Sequence, residues 1–296
     1  MSLLSADLLR RLEQFQLLAR RRAKSAAKGE RRSRARGQSV EFADHRNYVA
    51  GDDFRYIDWN LFGRLDRLFL KLYEEERELP VRVFLDASES MNFGSPRKID
   101  FAKQIAAALG YVALCGFDRV AVTVFPDAPE QAMFRGALRA VRGRKSSLTF
   151  FQNLNQVQPA GSADFNQSLR RGALEARQAG VAVVLSDFLD PAGYENGLNA
   201  LVARGFHVNA VQILAREEMN PETYGDLKLI DSETGSIQEV TFGKYRLAQY
   251  QQTVRNYCQR LKEHCQARGI SFFTTTSDAS LEKLLLKQLR EAEVWQ

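Results

Sequence analysis

Val81-Arg82-Val83-Phe84-Leu85-Asp86-Ala87-Ser88-Glu89-Ser90 is the stretch on which the reading of this chain turns. Val81, Val83, Phe84 and Leu85 form a short run rich in β-branched and aromatic residues, which predicts a buried strand. The residues after it carry oxygen at every second position: a carboxylate at Asp86 and hydroxyls at Ser88 and Ser90. A strand that ends this way delivers three hard oxygen donors to the rim of a sheet. Such donors suit Mg²⁺ or Mn²⁺, not zinc or copper.

Moving outward, the same pattern recurs. Val120–Phe125, Val181–Leu185, Val208–Leu214 and Ile270–Thr275 read as further strands. Helical periodicity marks Ile99–Leu114, Phe165–Gln178, Tyr194–Ala203, Tyr245–Ala267 and Leu281–Leu289. Apolar strands alternating with helices predict an α/β, Rossmann-type, mostly parallel sheet with helices on both faces. Leu227–Ile230 and Ile237–Thr241, joined through Asp231-Ser232-Glu233-Thr234-Gly235, predict a β-hairpin inserted near 227–241. Ligands of an open α/β sheet sit at the carboxyl ends of its strands. Asp187, at the end of Val183-Val184-Leu185-Ser186-Asp187, therefore joins Asp86, Ser88 and Ser90 as a candidate. So does the loop Pro159–Asp164, which leads into the helix before that strand.

The chain of 296 residues is 45% hydrophobic and 26% charged, an ordinary globular balance. Leu4, Leu8, Leu12, Phe15 and Leu18 predict an amphipathic opening helix. A basic arm follows, with nine basic residues against Glu30 between Ala19 and Gly37. It carries +8 of a chain whose net charge is +6, so the remainder stands at −2. The arm is read as a solvated linker, because it lacks the interleaved aromatics of a base-stacking surface. Nucleic acid or anionic membrane is the alternative partner for it. The expected organisation is an N-terminal helix and basic arm over 1–36, a segment over 37–79 packed on the core, and the main domain over 80–296.

No leader peptide is legible in Ser2–Arg22, which is periodic and heavily charged. The longest nearly uncharged apolar stretch, Ile105–Phe117, is shorter than the ~20 residues of a spanning helix. The expectation is a soluble, cytoplasmic protein. Three cysteines and three scattered histidines, His45, His207 and His264, lack ligand spacing and argue against zinc.

Asp-x-Ser-x-Ser after a strand, with a later strand-end Asp, resembles the metal-ion-dependent adhesion site of von Willebrand factor A (vWA) domains. Three upstream segments sharpen the match: Glu41-Phe42-Ala43-Asp44-His45-Arg46-Asn47-Tyr48, Gly51-Asp52-Asp53-Phe54-Arg55-Tyr56-Ile57-Asp58-Trp59-Asn60 and Glu74-Glu75-Glu76-Arg77-Glu78. With Ser90-Met91, Gly116-Phe117-Asp118-Arg119-Val120 and the Asp-x-Glu-Thr-Gly turn, they resemble the bacterial vWA-like family catalogued as domain of unknown function 58. The resemblance runs from about Gly37 to Leu289. It implies a vWA-like core, a divalent cation shared with a partner's acidic side chain, and a working association with MoxR-type AAA+ ATPases in assembling or remodelling complexes. It also exposes a departure. The vWA pattern places a Thr ligand in the second loop, where Gly161-Ser162-Ala163-Asp164 has Ala163. Ser162 and Asp164 are the oxygen sources left there for Mg²⁺ or Mn²⁺.

Two functional readings follow. The first is a non-enzymatic scaffold or adaptor that grips a protein partner through the cation. The second is a metal-dependent hydrolase, a nuclease or phosphodiesterase, with Asp52, Asp53 and Asp58 as extra carboxylates. The first is preferred, since the chain has no phosphate-binding loop and no nucleophile elbow. Asp52, Asp53, Arg55, Asp58 and Trp59 are read as a hydrogen-bonded clamp pinning the N-terminal segment, or as a partner surface.

Overall fold

The computed structural model describes residues 3–15, 40–75, 79–126, 139–162, 164–221, 225–230 and 237–288. The basic arm, Leu18, Ala163 and the turn Asp231–Gly235 lie outside the described residues. The chain divides into two compact units: Met1–Arg20 with Leu79–Gln296, and Arg21–Glu78.

Helix α1 (Ala6–Leu12) opens the larger unit, capped by Ser5, whose hydroxyl accepts from Leu8 N at 3.2 Å. Its Leu4, Leu8 and Leu12 are buried in the main core. In the smaller unit, β1 (Val40–Asn47) leads through a 3-10 turn and α2 (Trp59–Leu65) to β2 (Phe69–Glu75). The two strands pair antiparallel, Asn47 opposite Phe69, with an irregularity between Phe42 and Asp44.

The sheet of the larger unit begins with β3 (Pro80–Asp86), followed by α3 (Lys98–Cys115), β4 (Arg119–Phe125) and β5 (Val141–Arg142). Then come α4 (Ser147–Gln156), α5 (Phe165–Glu175), β6 (Val181–Ser186), α6 (Glu195–Ala203), β7 (His207–Leu214) and the short α7 (Arg216–Met219). The hairpin strands β8 (Gly225–Ile230) and β9 (Ile237–Phe242) pair antiparallel and lead into α8 (Lys244–Ala267), β10 (Ser271–Thr276) and α9 (Leu281–Lys283). The six-stranded sheet has the order β10-β7-β6-β3-β4-β5, parallel except for β5.

Period-two alternation explains the two-sided core. Val81, Val83 and Leu85 point into the cluster that holds α1 and α3, whereas Phe84 points into the cluster around Phe165, Leu169 and Leu198. Central β6 is buried along its whole length, as a strand covered on both faces must be. Helix α3 is buried at every position but Asp100, Gln104 and Cys115. That accounts for the apolar stretch from Ile105. Among the described residues, no helix is long and apolar enough to cross a membrane.

Several elements depart from the sequence expectation. Edge strand β5 and helix α4 were not expected: β5 has two residues, and α4 buries only Phe150 and Leu154. Helix α5 stops at Glu175 instead of Gln178, where Arg204 Nε and Nη2 donate to the carbonyls of Ala173 (3.3 Å) and Ala176 (3.0 Å). A guanidinium at the carboxyl end satisfies the carbonyls that a longer helix would bond internally. The last predicted helix is one α-turn, α9, followed by a π-helical turn, Leu284–Gln288.

Candidate cation and partner-docking site

The strand order fixes where a ligand belongs. After β3 the chain moves outward to β4 and β5, then returns to the other side of β3 for β6. The order therefore reverses between β3 and β6, and the crevice at such a switch point is the binding place of open α/β sheets. Register pairs Leu85 with Leu185, so Asp86 ends β3 beside Ser186 and Asp187.

Asp86, Ser88 and Asp187 are all buried. Asp86 Oδ1 accepts from Ser88 N (3.0 Å) and Ser88 Oγ (2.7 Å), and Asp86 Oδ2 accepts from Ser186 Oγ at 2.5 Å. Ser88 Oγ lies 2.9 Å from Ser90 Oγ, which in turn donates to Asp187 Oδ2 at 3.0 Å. Asp187 Oδ1 accepts from Leu189 N at 3.0 Å. Between them Phe188 takes the left-handed conformation, φ 61°, an uncommon choice for a bulky residue. Its buried ring packs 5.2 Å from that of Phe165, so core packing holds the turn.

The proton inventory of this chain of oxygens is short. Three O···O contacts join Asp86 Oδ1 to Asp187 Oδ2 through two hydroxyls, which carry only two protons. With Ser88 donating to Asp86 and Ser90 to Asp187, none is left for the contact between the two hydroxyls; a proton on Asp86 Oδ1, which reverses its bond to Ser88, supplies the third. Burial pushes the Asp86 carboxyl up to about 7; the charge of Asp187 adds to the rise, and hydrogen bonds from Ser186 and Ser88 oppose it. A cation among the oxygens answers the same shortage. Adjacent ligands of an octahedral Mg²⁺, each at about 2.1 Å, lie about 3.0 Å apart. The contacts of 2.7, 2.9 and 3.0 Å fit that spacing. Among the described residues, no three His, Cys, Asp or Glu side chains are grouped to hold a metal. An ion here would lean on hydroxyls and waters as well as on Asp86 and Asp187.

The second loop reaches the first through its backbone: Glu89 N donates to Gly161 O and Ala160 N to Ala87 O, both at 2.9 Å. Ser162 is exposed in that loop. Asp164 is the N-cap of α5, with Oδ1 taken by Gln167 N at 2.8 Å. In the smaller unit, Asp52 grips Arg46 (2.8 and 2.7 Å), and Asp53 pairs with Arg55. Asp58 caps α2 through Asn60 N and Leu61 N and meets His45 Nε2 at 2.9 Å. Trp59 is 62% exposed.

Ser186 and Glu218 stand outside the sequence reading, and Lys98 reads there, with Arg97, as a helix-entry residue able to tune partner charge around the site, not as a side chain within it. Yet the fully buried Nζ of Lys98 lies 2.8 Å from Asp187 Oδ2 and 2.6 Å from Glu218 Oε1. Burial pulls its pKa down, but the charges and hydrogen bonds of Asp187 and Glu218 outweigh that, leaving it above the ordinary lysine value. Only the Ser186 signal, a polar residue closing an apolar strand, stood in the local sequence.

Known proteins place the chain in a family. Among solved structures, the conserved hypothetical protein BatB of Bacteroides thetaiotaomicron is similar at TM-score 0.44 and 14% identity, over 72% of this chain and 98% of that one. An aerotolerance-related membrane protein from Bacteroides fragilis is similar at TM-score 0.41 and 16% identity, over 73% and 98%. A von Willebrand factor type A structure from Catenulispora acidiphila is similar at TM-score 0.38 and 12% identity, over 76% and 43%. The uncharacterized proteins Mb1516 of Mycobacterium bovis and Rv1480 of Mycobacterium tuberculosis are each 30% identical over 208 residues, 69% of this chain. The match spans 64% of the length of those curated relatives. The family described as "Protein of unknown function DUF58" matches residues 44–260, and the chain belongs to that family.

Proposed function

We propose that this chain is a non-enzymatic, cytoplasmic protein-interaction module in which Asp86, Ser88, Ser90 and Asp187 hold Mg²⁺ or Mn²⁺. The bound ion would offer a coordination position to an acidic side chain of a partner protein. The carrying observation is the run of four side-chain oxygens at the switch point, one proton short and spaced like the ligands of an octahedral ion. Ser162, in the adjoining loop, and waters are the remaining oxygen sources. A MoxR-type AAA+ ATPase is the partner that the family resemblance offers, with this chain as its adaptor in assembly or remodelling.

A metal-dependent hydrolase is the competing reading, and the side chains at the site favour it less. Lys98 is held as an ammonium by two carboxylates and is no base. Of the histidines, His45 meets Asp58, His207 opens β7 at the strand end remote from the site, and His264 meets Tyr194 edge-on.

The test is capture of partners by native protein and by the Asp86→Ala/Asp187→Ala variant, each in Mg²⁺ and in EDTA. A partner, the MoxR-type ATPase first, is expected on native protein in Mg²⁺ alone. Equal retention by the double variant rejects docking through the cation. Mg²⁺-dependent cleavage of a phosphodiester, lost in Asp86→Ala, rejects the non-enzymatic reading.

A further inference from the structure

Lys98 stands where helix formation alone would not put a cation. It is the first residue of an 18-residue helix, so its charge faces the positive end of the helix dipole. It is also fully buried, and a buried ammonium is costly unless carboxylates answer it. Two do. Asp187 Oδ2, at 2.8 Å, is the same oxygen that Ser90 Oγ reaches at 3.0 Å, so the ammonium flanks the run of site oxygens. Glu218 Oε1, at 2.6 Å, comes from α7, the short helix after β7, and its other oxygen is fixed by Ala215 N at 2.7 Å. Gly94 lets this layer close: its φ is 95°, and a Cβ there would lie 2.9 Å from that of Ala215.

We propose that Lys98 is a resident cation of the cluster: its ammonium holds Asp187 in place without metal and competes for that carboxylate with any divalent ion entering beside Asp86, Ser88 and Ser90. The inference rests on reading the cluster as a cation site. Glu218 sets the strength of the competition, because it draws part of the ammonium's charge away from Asp187. Lys98 is thus a positioning residue that tunes cation affinity, and it links the metal loop to α7, the short helix after β7.

The experiment is calorimetric titration of the full chain with Mn²⁺, comparing native protein with Lys98→Met and Glu218→Gln. Met keeps the length of the lysine stem without its charge. A unit charge a few ångström from a divalent ion changes affinity by about tenfold even under water-like screening. Lys98→Met is therefore expected to bind Mn²⁺ about tenfold tighter, and Glu218→Gln several-fold more weakly. If Lys98 only props up the fold, both substitutions loosen the site and both weaken binding, which overturns the proposal. Equal affinity of native protein and Lys98→Met overturns it too, while leaving the cation site standing. Binding gained by Lys98→Met in a chain whose native form binds none, and lost again on adding Asp86→Ala, supports it. Absence of binding in every variant overturns the cation reading and this inference together. Should circular dichroism show Lys98→Met unfolded, the uncharged, polar Lys98→Gln is titrated in its place: tighter binding supports the proposal, and unchanged or weaker binding overturns it.

Discussion

Asp86 is the residue whose chemistry the fold alters most. Its carboxyl is raised from 3.8 to about 7 by burial first and by the charge of Asp187 second. The native state therefore holds this proton more tightly than the unfolded chain does, and native burial penalises the charged form. The penalty is absent below about pH 4, grows between 4 and 7, and is complete above 7. Asp86→Asn removes it. In metal-free urea unfolding, the stability of the Asn variant relative to native protein is expected to rise steadily from pH 4 to pH 7 and then level off. A difference independent of pH would mean that Asp86 titrates like an exposed carboxylate. The oxygen donors Asp86, Ser88, Ser90 and Asp187 were legible in the sequence because strand ends are local features. Lys98 was not: its acceptors lie 89 and 120 residues away, and nothing near position 98 announces them.

Among the elements, α1 shows how far periodicity carries and where it stops. Leucines four apart predicted a helix with one apolar face, and Leu4, Leu8 and Leu12 are buried. The pattern could not say what the face meets. It meets α3, and Glu13 just beyond it accepts from Tyr111 of α3 at 2.8 Å. Helix α3 is apolar nearly all round because the sheet lies on one side and α1 and α4 on the other. Leu12→Ala is expected to cost about 2–5 kcal/mol in urea unfolding, the range for emptying a fully buried leucine site. A loss well under 1 kcal/mol would place α1 outside the cooperative core. Strand β5 and helix α4 went unread for a related reason. Two edge residues make no run, and Phe150 with Leu154 is too thin a stripe to set a period. Periodicity overruns the end of α5 because its stop is an arginine from beyond α6, not a local breaker.

At the scale of the molecule, the candidate site lies wholly within one of two compact units, on the sheet of Leu79–Gln296. The alternation of strands and helices made that sheet legible. Its strand order, which decides that Asp86 and Asp187 meet, came only from the pairing. An ion that binds the native site and not the unfolded chain stabilises by mass action, about 2.7 kcal/mol at a hundredfold excess over Kd. In a folding unit of about 200 residues each kcal/mol moves Tm by about 2–4 °C. Saturating Mg²⁺ or Mn²⁺ is thus expected to raise the melting temperature by about 5–10 °C in scanning calorimetry. If the two units melt separately, the transition of the larger unit is the one expected to move, because Asp86, Ser88, Ser90 and Asp187 all belong to it. Below pH 7 the shift should shrink, since the ion must displace the Asp86 proton. Asp86→Ala should abolish it. A shift that survives Asp86→Ala, or that follows the smaller unit's transition, would move the ion to another surface and leave the switch-point cluster as a hydrogen-bonded brace between β3 and β6.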